Sequence, residues 1–168
     1  MAWLTTDDNC EIYYETHGQG PPVVFVSGFM GIADIWHNQI EAMKSDYQCI
    51  VYDRRGYGRL SKPQSIKDYT IQRHVDDLTA VLAAANVTGP VVLFCHSMGG
   101  EISMAFSLVN PGRVKGMVRS AALIDAESGD DTGLSVDMLV QGVSSPSLRK
   151  RFYENFGLNP EIAIEASK

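Results

Sequence analysis

Ser97 lies in a short segment whose residue types could turn a hydroxyl into a nucleophile. Residues 90–101 read PVVLFCHSMGGE, an apolar run followed by the serine and then by two glycines. A serine attacks an acyl carbon only when its hydroxyl is exposed, a base removes its proton and N–H donors stabilise the oxyanion. A strand that turns sharply into a helix exposes the hydroxyl and presents the free N–H groups of the first helical turn. The segment therefore predicts a nucleophile at a strand–helix turn, which we call the elbow (residues 95–100).

A simpler interpretation of Ser97 is an N-cap, a serine that accepts one hydrogen bond at the start of a helix. A cap requires no glycine, and each glycine in a first helical turn costs about 1 kcal/mol relative to alanine. A sharp turn, in contrast, requires small residues two positions before and two positions after the serine. Cys95 and Gly99 occupy those positions, and Gly100 follows. These three small neighbours favour the elbow, because they would support the turn.

The segments around the elbow predict an alternation of strands and helices. Aromatic and β-branched residues on both sides of the polar turn at 7–9 indicate an N-terminal hairpin. Continuous apolar runs, which are typical of strands covered on both faces, occur at 23–26, 49–52 and 91–94. Residues 114–123 are predicted as a fourth strand of this kind. Apolar residues recur at helical spacing within 34–43, 70–87 and 98–109. This order predicts an α/β fold with a mainly parallel sheet and helices on both of its faces.

Three motifs follow one another along the chain: VVFVSGFMG, VYDRRGYGRLSKP and LFCHSMGG. Their order and strand context resemble the α/β-hydrolase superfamily, and the second motif is most similar to the esterase, enol-lactonase and cofactor-free haloperoxidase branches. The resemblance covers residues 1–123 and the start of a helical cap. It implies that residues 1–125 are the N-terminal part of an α/β-hydrolase core. Residues 126–168 would then be a linker and the beginning of the cap (lid), with the C-terminal strands of the fold absent.

The resemblance also implies roles for the residues that match motif positions. Ser97 matches the nucleophile, and the backbone N–H groups of Phe29 and Met98 match the two donors to the oxyanion. The DRRGYG stretch matches a structural loop of the superfamily. Ser27 departs from the pattern, because a histidine usually precedes the glycine that is Gly28 here. A serine at position 97 argues against halide or epoxide chemistry, since such members generally carry an aspartate there.

A base and an acid for the serine are missing from the expected positions. The superfamily's chain order is serine, acid and histidine, but the histidines of this chain all lie at or before position 96: His17, His37, His74 and His96. We expect His96 to fill space beside the elbow and His74 to face solvent. Asp125 is the nearest candidate for the acid, although alignment with the superfamily places that residue slightly earlier. The base and acid are therefore expected from outside these 168 residues, and this chain alone is predicted to be inactive.

Apolar side chains near the predicted site indicate the class of substrate. Four pocket candidates join Phe29 and Met98: Met30, Met138, Leu139 and Phe152. They predict a small, mostly apolar ester or lactone, cleaved through an acyl-enzyme on Ser97. The alternative is a non-catalytic truncated member, or a binding module, that keeps the pocket but lacks the catalytic histidine.

The composition indicates which other partners to expect. The net charge of −6 leaves no basic surface for nucleic acid, and no apolar run is long enough for a membrane-spanning helix. The three cysteines show no metal-ligand spacing, which favours a reducing compartment, and the N-terminus carries no signal-peptide pattern. We expect a cytoplasmic protein that uses a small-molecule substrate and no metal or cofactor. A second segment or chain is expected to cover the apolar edge strand at 114–123.

Overall fold

The structure is a computed structural model that describes residues 2–58, 63 and 65–120. Within these residues lie six strands: β1 (Ala2–Thr5), β2 (Glu11–His17), β3 (Pro22–Val26), β4 (Gln48–Tyr52), β5 (Val91–His96) and β6 (Val114–Ser120). The same residues form three α-helices: α1 (His37–Met43), α2 (Ile71–Ala84) and α3 (Gly99–Val109). Two short 3₁₀ helices accompany them, Ala33–Trp36 and Ile66–Tyr69. No helix in this described part is both long and apolar enough to cross a membrane.

The strands form one sheet in the order β1-β2-β4-β3-β5-β6. The pairs β1–β2 and β2–β4 are antiparallel, whereas β4–β3, β3–β5 and β5–β6 are parallel. Parallel neighbours need crossover connections, and α1, α2 and α3 lie in the connections after β3, β4 and β5. The prediction of an α/β fold with an N-terminal hairpin and a mainly parallel sheet is confirmed. Because neighbouring parallel strands run the same way, the segments that follow β3, β4 and β5 meet at one edge of the sheet.

One hydrophobic core joins α2 and α3 to the sheet. Thr70 begins α2 as its N-cap, and its side chain accepts a hydrogen bond from the Arg73 N–H at 3.3 Å. Leu78 of α2 is fully buried, as are Val24 of β3 and Leu93 of β5, which are partners in the sheet. Each such side chain contributes about 1.5–3 kcal/mol by leaving water. This core holds the C-terminal ends of β3 and β5 side by side, where the elbow begins.

The prediction that His74 faces solvent is wrong, because only 3% of its surface is exposed. His74 lies on α2 three residues before Asp77, which is also buried, so the two share one helix face. Asp77 receives two hydrogen bonds from the Arg55 guanidinium, each of 2.7 Å. Burial, together with the charges of Arg54 and Arg55, lowers the pKa of His74 to about 3, so its imidazole is neutral. The buried face of α2 is therefore wider than its apolar stripe.

β6 lies at an edge of the sheet in the described part of the chain, where it pairs with β5 alone. Its Val118 is 43% exposed, although the residue is apolar. The apolar run predicted as this strand continues to position 123, and residues 121–123 lie outside the described residues. That a second segment or chain covers this edge stays a prediction.

Candidate active site

Ser97 lies in the short turn between β5 and α3. Its φ is 50°, in the left-handed region that residues other than glycine seldom adopt, at a cost of about 1–3 kcal/mol. The Ser97 N–H donates to the Ser120 carbonyl at 3.0 Å, and the Ser97 carbonyl accepts from the Gly100 N–H at 2.8 Å. An N-cap serine has an extended backbone and bonds to the first helical turn, whereas here Met98 precedes the helix and no side chain caps it. The geometry favours the elbow over the cap.

Small residues occur where the elbow approaches other segments. A Cβ on Gly99 would overlap the carbonyl oxygen of Val26, at the end of β3. A Cβ on Gly28 would lie 2.6 Å from the Cβ of Ser97 and 2.7 Å from the carbonyl oxygen of the preceding residue. Cys95, two residues before the serine, is fully buried in the core. The absence of a side chain at Gly99 therefore allows α3 to approach β3 closely. The absence of one at Gly28 allows the loop after β3 to pack against the turn at Ser97.

The loop that follows β3, residues 27–32, is anchored by Ser27. This serine is fully buried, and its hydroxyl accepts a hydrogen bond from the Trp36 indole N–H at 2.8 Å. It also donates to the Ile32 carbonyl at 3.4 Å. Met30 is buried as well and has a φ of 59°. Ser27 thus connects the two ends of the loop at the position where the superfamily usually has a histidine.

The two backbone N–H groups predicted to bind the oxyanion belong to residues that follow Gly28 and Ser97, the two residues that approach each other at the elbow. Phe29 follows Gly28, and Met98 follows Ser97. In the described residues, neither N–H donates a hydrogen bond to another backbone group. The Gly31 N–H, in contrast, donates to the Gly28 carbonyl at 3.0 Å and closes a tight turn. Both donors therefore adjoin the close approach of Gly28 to Ser97, and their role in binding an oxyanion stays a prediction.

Two residues of the DRRGYG stretch bind the loop 27–32 and the first residue of the 3₁₀ helix that follows it. Asp53 is buried, and its Oδ1 accepts a hydrogen bond from the Ala33 N–H at 2.7 Å. Arg54 is buried, and its Nη2 donates to the Gly28 carbonyl. The resemblance implies a structural role for this stretch, but the contact of Arg54 was not predicted, because no local pattern indicates a contact between residues this far apart in the sequence.

Arg55 connects three parts of the chain in a buried ion-pair network. Its guanidinium binds both carboxylate oxygens of Asp77, and Nη1 lies 2.8 Å from the Oδ2 of Asp8. The hydrogen bond from Arg55 holds the pKa of Asp8 well below its usual range. Burial alone would lower the pKa of Arg55, but the bonds to the two carboxylates outweigh it and the net shift is upward. The network fits the structural role that the resemblance implies for this loop.

A complete catalytic triad is not formed by the described residues. Among them, no hydrogen bond joins the Ser97 hydroxyl to a histidine or a carboxylate. Three of the four histidines lie on β2, α1 and α2: His17, His37 and His74. Burial lowers the pKa of His96, which precedes Ser97, so this imidazole is neutral. Four predicted residues lie outside the described residues: Asp125, Met138, Leu139 and Phe152.

The chain is similar in sequence to known proteins. Residues 21–168 match the family described as alpha/beta hydrolase fold. Over 109 residues the chain is 38% identical to a cis-3-alkyl-4-alkyloxetan-2-one decarboxylase of Shewanella oneidensis, a match that covers 64% of this chain and 34% of that protein. Over 128 residues it is 36% identical to a non-heme chloroperoxidase of Kitasatospora aureofaciens, covering 75% of this chain and 44% of that protein.

The fold is similar to that of solved structures as well. The crystal structure of an epoxide hydrolase from Vigna radiata superposes with a TM-score of 0.66 and 30% sequence identity, covering 70% of this chain and 37% of that one. The chain therefore spans less than half the length of each of these proteins.

Proposed function

Because the chain belongs to the α/β-hydrolase fold family, we propose that it is part of a serine-dependent hydrolase whose nucleophile is Ser97. The observation that carries the proposal is the backbone of Ser97, which has a φ of 50° between a buried strand and a helix. A serine in this strained turn, next to backbone N–H groups that donate to no other backbone group, has surroundings that suit acyl transfer.

The proposed reaction proceeds through an acyl-enzyme. A base from outside these 168 residues removes the proton of the Ser97 hydroxyl as Oγ attacks the substrate carbonyl carbon. The carbonyl oxygen becomes an oxyanion and accepts hydrogen bonds from the N–H groups of Phe29 and Met98. The acyl C–O bond then breaks, and the leaving oxygen takes the proton from the base. Water attacks the acyl-enzyme in the same way, which releases the carboxylic acid and regenerates Ser97.

We propose a small, mostly apolar ester or lactone as the substrate. Phe29 is half-buried and Met30 is buried, and both belong to the loop beside the elbow. The pocket would be completed by the cap residues Met138, Leu139 and Phe152. An oxetan-2-one, which the name of the Shewanella relative contains, is a four-membered lactone. Epoxide opening, the activity in the name of the Vigna relative, is not proposed, because Ser97 stands where such members generally carry an aspartate.

The second candidate is a binding module that holds such a molecule without cleaving it. The observation in its favour is that, in the described part of the chain, no histidine is hydrogen-bonded to the Ser97 hydroxyl. A cytoplasmic location, independence of metals and cofactors, and a second segment or chain over the 114–123 edge also stay predictions from the sequence.

Labelling with a fluorophosphonate in the presence of imidazole separates the two candidates. An activated serine forms a stable adduct with the phosphonate, and imidazole supplies the missing general base from solution. We expect the intact mass to increase by one phosphonate group on Ser97, about tenfold faster with imidazole than without it. The adduct should be absent from Ser97→Ala and retained in the control Ser103→Ala, which changes a buried serine of α3. No adduct on Ser97 at any imidazole concentration would support the binding module.

A further inference from the structure

Arg54 is a buried cation that contacts the loop after β3 at the peptide between Gly28 and Phe29. Its side chain is 1% exposed, and Nη2 donates to the Gly28 carbonyl oxygen. The same oxygen accepts a second hydrogen bond, from the Gly31 N–H at 3.0 Å. Gly28 also touches the elbow, since a Cβ on it would lie 2.6 Å from the Cβ of Ser97. A single peptide therefore connects the guanidinium to the elbow.

The geometry of this peptide determines the direction of the Phe29 N–H. Within the described residues no peptide bond is cis, so the carbonyl and the N–H of one peptide point in opposite directions in one plane. The hydrogen bonds from Arg54 and from the Gly31 N–H to the Gly28 oxygen fix the orientation of this peptide plane. The Phe29 N–H therefore points away from Arg54. Hydrogen bonds to the carbonyl also polarise the peptide. The Phe29 N–H becomes a stronger donor as a result.

Arg54 differs from its neighbour Arg55 in how its charge is balanced. Arg55 pairs with Asp77 and Asp8 at 2.7 and 2.8 Å. In the part of the chain that the structure describes, no carboxylate lies within ion-pair distance of Arg54, and its Nε and Nη1 atoms have no hydrogen-bond partner. Burial lowers the pKa of Arg54, but a guanidinium stays protonated at neutral pH. A buried cation without a carboxylate partner is costly, and an anion formed nearby reduces that cost.

A contact with the ring of Tyr57 positions the Arg54 guanidinium but brings no negative charge to it. The guanidinium carbon of Arg54 lies 4.8 Å from the ring centroid of Tyr57, within the range of a cation–π contact. The Tyr57 ring in turn meets the Phe29 ring, with 6.1 Å between their centroids. Arg54 is therefore connected to Phe29 twice, through the backbone of Gly28 and through the side chain of Tyr57.

We propose that Arg54 is a positioning residue for oxyanion stabilisation at the elbow. It orients the Phe29 N–H toward the reacting carbonyl oxygen, and its unbalanced charge favours the state in which that oxygen is negative. This inference rests on the proposed role of Ser97 as the nucleophile. Since the oxyanion exists only as the bond to Ser97 forms, Arg54 affects the rate of bond formation and not the affinity for the uncharged substrate.

Three variants isolate the contribution of Arg54. Arg54→Met removes the charge and the donor, whereas Arg54→Lys keeps a charge but loses the planar, forked donor. Arg113→Met is the matched control, because Arg113 also donates to a backbone carbonyl, that of Val87, at 3.0 Å. Val87 precedes β5, whereas Ser97 follows it. Arg113→Met therefore removes the same type of bond, from an arginine to a backbone carbonyl, near the end of β5 that lies away from Ser97. Circular dichroism and urea unfolding show which variants fold.

Amide NMR spectra and fluorophosphonate labelling with imidazole provide two independent readouts. In Arg54→Met, we expect a shifted Phe29 amide resonance and faster exchange of that amide with water, while Arg113→Met leaves both unchanged. The maximal rate of Ser97 labelling should fall about tenfold or more in Arg54→Met, with the half-saturating phosphonate concentration unchanged. Arg54→Lys should recover part of this rate, and Arg113→Met should stay within about twofold of the parent chain.

The two readouts distinguish failure of this inference from failure of the proposed function. An unchanged Phe29 amide in Arg54→Met, or labelling of Ser97 at the parent rate, overturns the role of Arg54 and leaves the proposed nucleophile intact. If Ser97 does not label in the parent chain but the Phe29 amide responds to Arg54→Met, the proposed function fails and the positioning of the peptide stands. Should Arg54→Met not fold, Arg54→Lys undergoes both measurements, and slower labelling with a shifted Phe29 amide is expected.

Discussion

Each of the two N–H groups proposed to bind the oxyanion adjoins a residue in the left-handed region. Met30, with a φ of 59°, follows Phe29, and Ser97, with a φ of 50°, precedes Met98. Asparagine tolerates this conformation and side chains such as methionine rarely adopt it. Backbone strain of this kind persists only where the surroundings enforce it, and it concentrates at functional sites. At the residue scale, the site is thus defined by backbone conformation as much as by side-chain chemistry.

Replacing Ser97 by glycine should stabilise the fold and abolish labelling. Glycine adopts positive φ without the Cβ penalty, so the free energy of unfolding of Ser97→Gly should exceed that of Ser97→Ala by about 1 kcal/mol. Ser97→Ala is the matched control, because it lacks the hydroxyl but retains the Cβ and the strain. Urea unfolding at neutral pH measures the difference, and equal stabilities of the two variants would argue against a strained turn.

At the scale of elements, the strands and helices could be predicted because their patterns are local. The helix expected at 70–87 is α2 (Ile71–Ala84), and the apolar run at 91–94 lies within β5 (Val91–His96). The contact of Arg54 with Gly28 could not be predicted, because it requires β4 to lie beside β3 in the sheet. His74 was misplaced for a similar reason, since the buried Asp77 on the same helix face binds Arg55, which comes from a distant loop.

The approach of α3 to β3 leads to a prediction about Gly99. Gly99→Ala should lower the free energy of unfolding by about 2–3 kcal/mol, because its Cβ would overlap the Val26 carbonyl and backbone cannot yield as a side chain does. Gly89→Ala is the control, since a Cβ there meets no atom within 4 Å in the structure. It should change stability by less than about 1 kcal/mol. Similar losses in the two variants, measured by urea unfolding, would show that α3 does not lie this close to β3.

At the scale of the whole molecule, Arg55 holds together segments that are far apart in the sequence. It binds Asp8 in the turn between β1 and β2 and Asp77 on α2, and Nη1 also donates to the Asp68 carbonyl at 2.9 Å. One buried guanidinium, that of Arg55, therefore links three segments through hydrogen bonds and ion pairs: the N-terminal hairpin, the DRRGYG stretch and α2. The neighbouring Arg54 extends this connection to the loop beside the elbow.

The turn between β1 and β2 provides a matched pair for testing this network. Asp8→Asn should lower the free energy of unfolding by about 1–2 kcal/mol at neutral pH, because Asp8 is largely buried against Arg55. Asp7→Asn should change it by less than about 0.5 kcal/mol, since Asp7 is 78% exposed and meets Arg73 at 3.4 Å. Urea unfolding measures the loss of free energy of unfolding in each variant. Equal losses in Asp8→Asn and Asp7→Asn would show that Asp8 does not stabilise the fold through Arg55.

The loss of stability caused by Asp8→Asn should become smaller as the pH falls. Because the pKa of Asp8 is lower in the folded chain than in the unfolded one, its contribution to stability is complete above about pH 4 and decreases as the pH falls further. The difference between the parent chain and Asp8→Asn should therefore shrink below about pH 4. His74, whose pKa is lowered to about 3, destabilises both proteins as the pH falls below about 6.5, so its effect largely cancels in the difference. A difference that stays constant as the carboxylate is protonated would mean that the Asp8 charge does not stabilise the fold through Arg55.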